Sequence, residues 1–91
     1  MREAPTPTPV IIEAAINGAS TKDRNPNTPV TPEEITADAL ACIDAGATVV
    51  HNHIDRVMLP GEEAAARYRE AWDAILAVRP DALLYPTTNF G

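Results

Sequence analysis

The sequence has no second cysteine, no basic run, no long apolar stretch and no glycine-rich phosphate loop, and each absence closes off a class of function. Cys42 stands alone among 91 residues, so no intrachain disulfide forms, and its place in a helical pattern makes it an expected core thiol. Lys and Arg number 7 against 13 Asp and Glu, a formal charge of −6. Nucleic acid and anionic membrane surfaces are therefore not expected partners, and a small molecule is. No uninterrupted apolar run approaches the roughly 20 residues that span a bilayer, and no basic start leads into an apolar run with a cleavage site. A cytoplasmic protein is the expectation. Asn17-Gly18-Ala19-Ser20 matches neither a dinucleotide fingerprint nor a P-loop, which counts against nucleotide binding.

What is present is a chain meant to fold. Hydrophobic residues make up 45 % and charged residues 22 %, a balance that supports a core, although a chain this short buries a modest share of its surface and is marginal alone. Residues 1–9 carry Pro5, Pro7 and Pro9 among threonines and read as an extended leader. Val10–Asn17 reads as a strand with Val10, Ile12, Ala14 and Ile16 on one face and Ile11, Glu13, Ala15 and Asn17 on the other. An irregular loop follows. Thr31-Pro32-Glu33-Glu34 then supplies an N-cap, a proline at the first helical position and a capping-box glutamate. Ile35, Ala39, Cys42 and Ile43 recur at helical spacing, and Gly46 stands where positive φ ends a helix, so a helix is predicted over Pro32–Ala45.

Thr48–Ile54 is rich in β-branched residues and reads as the second strand, and Asp55–Pro60 as a loop. From Gly61 to Arg79, an apolar stripe of Ala65, Tyr68, Trp72, Ile75 and Leu76 predicts a surface helix, with Tyr68 and Trp72 packing it on the sheet. Ala82–Thr88 reads as a third strand, with Pro86 marking where pairing should fail. The order β-α-β-α-β with short joints predicts an α/β fold with a parallel sheet. Both a doubly wound sheet and a (β/α)₈ TIM barrel begin in this way. Polar residues gather toward the C-terminal ends of all three strands, at Glu13 and Asn17, at His51 and His53, and at Thr87, Thr88 and Asn89. Barrel enzymes build their sites there.

His51 and His53 are two apart on a strand and so share a face. Two imidazoles placed this way suit zinc, which takes three protein ligands in catalytic sites and keeps a fourth position open. Glu13 and Asp55 are the carboxylates nearest in this pattern, neither is certified by spacing, and in a complete barrel a later strand is another source of a third ligand. Glu13 is read either as an ion-pair partner inside a barrel or as a proton acceptor or ligand. Asn17, Thr87, Thr88 and Asn89 are either turn and strand-end formers or hydrogen-bond donors to a substrate. Asn52, on the opposite face to the histidines, needs a hydrogen-bond partner if it is buried.

Taken together, Ile12-Glu13-Ala14-Ala15-Ile16-Asn17-Gly18-Ala19, then Asn25-Pro26-x-x-Pro29-x-Thr31-Pro32-Glu33-Glu34-Ile35, then Asp44-Ala45-Gly46-Ala47-Thr48-Val49-Val50-His51-Asn52-His53 resemble the beta-keto acid cleavage enzymes, whose best-known activity is 3-keto-5-aminohexanoate cleavage. The likeness runs from Val10 onward. It implies that residues 10–91 are the N-terminal β-α-β-α-β portion of a single (β/α)₈ barrel, inactive by itself. The family members are zinc enzymes, usually homotetramers, that combine a beta-keto acid with acetyl-CoA to give acetoacetate and a new CoA thioester by retro-Claisen cleavage. The resemblance assigns His51 and His53 to the metal, with a glutamate far downstream as third ligand, and Thr87 to the acid, where a serine is familiar. Glu13 and Asn17 become candidate catalytic residues of the pocket wall, with Ser20, Thr88 and Asn89 as further substrate contacts. Ser20 departs from the glutamate that often holds an amino-bearing substrate, and Ile54-Asp55-Arg56-Val57-Met58-Leu59-Pro60-Gly61 is more apolar than the usual loop. A different acid or a different loop is expected. Two rival readings stay open: another metal-dependent barrel enzyme, a hydrolase or class II aldolase, and a non-catalytic βαβαβ module.

Overall fold

The computed structural model describes residues 8–56 and 58–87, and forms β1 (Glu13–Ala15), α1 (Pro32–Asp44), β2 (Val49–Asn52), α2 (Gly61–Val78) and β3 (Leu83–Pro86). The predicted element order is observed. The three strands make one parallel sheet in the order β1-β2-β3. Each strand is shorter than its apolar pattern. Pairing starts at Glu13↔Val49, so Val10 and Ile11 have no strand residue opposite them and stay exposed at 77 % and 76 %. Of the leader, Thr8 and Pro9 are described, and both are exposed without regular structure.

Local chemistry explains α1 at both ends. The Thr31 hydroxyl accepts from Glu34 N–H at 3.1 Å while the Glu34 carboxylate accepts from Thr31 N–H at 3.0 Å, the reciprocal pairing of a capping box. At the other end Ala47 N–H reaches the Cys42 carbonyl and Gly46 N–H the Ile43 carbonyl, a Schellman ending. Gly46 has φ 118°, a conformation costly for any residue with a Cβ. The helices end at Asp44 and Val78, one residue short of the expected bounds in each case.

The core joins Ala39 and Ile43 of α1, Ile75 of α2 and Val50 of β2, with Ile16, Leu40, Trp72, Ala82 and Leu84 packed around it. Ile75 and Val50 are fully buried, each worth about 1.5–3 kcal/mol relative to exposure. Cys42, expected in the core, is only half-buried. In α2 the buried stripe is Tyr68, Ala71 and Ile75, with Trp72 alongside, whereas Ala65 and Leu76 are exposed. The stripe is therefore rotated from the predicted one: small Ala71 sits where α2 approaches α1, as the Thr36 hydroxyl donating to the Ala71 carbonyl shows.

Both helices cover the sheet face that carries Val50 and Leu84. The other face, lined by Glu13, Ala15, Val49, His51, Leu83 and Tyr85, has no covering element among the described residues, and Leu83 and Tyr85 are 55 % and 39 % exposed. Among the described residues no helix is long and apolar enough to cross a membrane.

Candidate metal and substrate site

β2 delivers the two histidines. Val50 and Asn52 point into the helix layer and are buried, so His51 points to the open face, and His53 follows one residue past the strand's end. The two rings meet edge to face with centroids 5.2 Å apart. Two imidazoles on one tetrahedral zinc, with Zn–N of about 2.0–2.1 Å and the ring radius added, hold their centres roughly 5 Å apart. The spacing fits a shared ion.

Each imidazole is oriented differently. The His51 ring stacks on Tyr85 at 4.4 Å, and its Nδ1 lies 3.2 Å from the Tyr85 carbonyl oxygen. A carbonyl only accepts, so Nδ1 carries a proton, and in the neutral ring Nε2 then keeps the lone pair that a metal needs. His53 is held through its backbone. Its N–H donates to Asn17 Oδ1 at 2.8 Å, and its carbonyl accepts from Asn17 Nδ2 at 2.9 Å and Asn52 Nδ2 at 3.2 Å. Asn17 Nδ2 also donates to the Pro29 carbonyl at 3.1 Å. Burial, aided by neighbouring His51, pushes the His53 imidazole below its ordinary pKa, which favours the neutral, ligating form.

The other candidate residues separate. Asn17 faces the site, yet its carboxamide is engaged by backbone groups, so it acts as a support. Glu13 pairs with Val49, two residues before His51, which sets it about 7 Å below the His51 level; it is exposed and lies away from the rim where it was expected. Continuing the β2–β3 register past Asn52↔Pro86 places Thr87 opposite His53, and its N–H donates to the Tyr68 hydroxyl at 3.3 Å. Tyr68 is therefore more than packing; burial raises its pKa, and the Thr87 bond opposes that shift. Ser20 closes a turn to the Asn17 carbonyl at 3.2 Å. It lines an open hollow of about 490 Å³ with Asn17, Asn25, Asn27 and Asp38, which neither histidine borders. Thr88 and Asn89 lie outside the described residues.

Asp55, the alternative carboxylate, is taken by Arg67, whose Nε and Nη2 donate to its two oxygens at 2.9 and 2.6 Å. That fork holds the Asp55 carboxyl below its usual range and pins the loop after β2 to α2, with Glu70 also bound to Arg67. Among the described residues no three of His, Cys, Asp and Glu converge. Tyr85 was not singled out from the sequence. Its alternation with Thr87 was readable, but the register that sets it against His51 was not.

The parallel β-α-β-α-β unit carries two histidines at the C-terminal end of its middle strand, the end at which α/β barrel enzymes build their sites. The family follows from comparison: the model of the beta-keto acid cleavage enzyme family matches residues 9–91, and the chain belongs to that family. It is 42 % identical over 81 residues to the 3-keto-5-aminohexanoate cleavage enzyme of Acetoanaerobium sticklandii, covering 88 % of this chain and 30 % of that protein. The enzyme of the same name from Fusobacterium nucleatum is 38 % identical over the same shares. The 3-dehydrocarnitine:acetyl-CoA trimethylamine transferase of Rhizobium meliloti is 37 % identical over 87 residues, covering 90 % of this chain and 28 % of that protein. The chain thus spans about 30 % of the length of these relatives.

Proposed function

We propose that this chain forms the metal-holding opening of a zinc-dependent (β/α)₈ barrel enzyme that cleaves a beta-keto acid with acetyl-CoA. The observation that carries the reading is the pair of imidazoles on one sheet face, 5.2 Å apart, each held by hydrogen bonds that leave its ring free to ligate. The bare face supports the barrel. A second helix layer would require an apolar surface, whereas Glu13, His51 and Tyr85 make this face mixed, as a barrel interior near an active site is.

In the reaction, the bond between the keto carbon and the neighbouring methylene breaks and so does the acetyl–sulfur bond of acetyl-CoA; the acetyl carbon bonds to that methylene as acetoacetate, and the freed CoA sulfur bonds the remaining acyl group as the new thioester. Bound zinc would polarise the keto oxygen and steady the charge that develops there. His51 and His53 would hold it, and Thr87, at the level of His53, is the substrate contact on β3. Ser20 takes the place of a carboxylate associated with amino-bearing acids, so the proposed substrate has no cationic amino group. The complete barrel enzyme proposed here, once purified, should contain zinc and form acetoacetate only when both acid and acetyl-CoA are supplied. Zinc-dependent turnover without acetyl-CoA would overturn the reading in favour of a hydrolase or aldolase, and protein without metal, unchanged in melting by added zinc, in favour of a binding module.

A further inference from the structure

Asn52 sits between the two histidines on the helix side of β2 and is 1 % exposed, in the layer of Val50 and Ile75. A carboxamide there needs partners, because an unpaired buried amide is costly. It finds them in an arrangement that leads back to the metal face. Trp72 Nε1 of α2 donates to Asn52 Oδ1 at 2.8 Å, and Asn52 Nδ2 donates to the His53 carbonyl at 3.2 Å. Asn17 reaches the same peptide units from β1's side, bonding both the carbonyl and the N–H of His53. His53 lies beyond the last residue of β2, where strand pairing no longer fixes the backbone. The two carboxamides supply that fixation, and with one N–H and two carbonyl lone pairs engaged, the hydrogen-bonding capacity of His53's backbone is filled. The orientation of Asn17 is dictated by its partners, since an N–H can face only an oxygen.

Resting on the reading of His51 and His53 as a metal pair, we propose that Asn17 and the Trp72–Asn52 couple are positioning residues that set the His53 imidazole beside His51 before any ion binds. The indole ties this to α2, so the helix layer behind the sheet governs the geometry in front of it. The test uses the full chain. In metal-free protein, Trp72→Phe should raise amide hydrogen exchange at His53 by tenfold or more and leave exchange in α1 unchanged. In a zinc titration the same variant should bind about 10–100-fold more weakly, the loss typical of removing a partner that orients a ligand. Asn17→Ala, at the edge of the sheet, should do the same without touching the core. Unchanged exchange at His53 in both variants, or a rise spread evenly over the chain, would overturn the proposal. A wild-type protein that binds no zinc would instead contradict the proposed function, and the exchange measurement would still decide the positioning role.

Discussion

His51 is aimed through its ring and His53 through its backbone, so substitutions near them should have unequal effects. On the proposed function, His51→Ala or His53→Ala removes a ligand and should weaken zinc binding by more than the 10–100-fold typical of losing an orienting group. Tyr85→Ala keeps the carbonyl that bonds His51 Nδ1 and loses only the stacked ring, so isothermal titration should show a smaller loss than either. Glu34 makes a pH prediction. Its hydrogen bonds to Lys22 and to the Thr31 and Val30 N–H groups hold the carboxyl down at about 2, from an ordinary 4.5. A lowered folded-state pKa means stability fully present above pH 4.5 and lost as pH falls toward 2. Glu34→Gln should flatten that part of a stability-against-pH curve measured by thermal melts. The shared face of the two histidines was legible from their spacing alone. The partner of Asn52 was not, because Trp72 is 20 residues away on an element whose rotation the sequence left one position uncertain.

At the scale of elements, the ends of α1 were legible and the extents of the strands were not. Caps are written in local residues: Thr31, Pro32 and Glu34 at the start, Gly46 at the finish. Gly46→Ala places a Cβ at φ 118° and should cost about 1–3 kcal/mol in a urea titration. Strand length depends on the neighbour, and Val10–Ile12 was apolar enough to read as strand although pairing begins at Glu13. The α2 stripe was displaced because Ala71, a small residue between the helices, is as buried as Ile75. Ile75→Ala, at the centre of the cluster, should destabilise by about 2–5 kcal/mol.

For the whole molecule, the parallel order and the helix-covered face were readable from the β-α-β-α-β alternation, and no described carboxylate joins the two histidines. Asp55 was a reasonable candidate by distance along the chain, but Arg67 from the next helix claims it. The resemblance implies assembly as a homotetramer, which we propose for the complete enzyme; light scattering should then give four times the subunit mass. The central claim concerns one ion between two rings. A zinc-edge anomalous difference map from crystals of the full chain tests it: a single peak about 2.0–2.1 Å from a nitrogen of both His51 and His53 is expected, and a peak on one ring only, or none beside either, would contradict it.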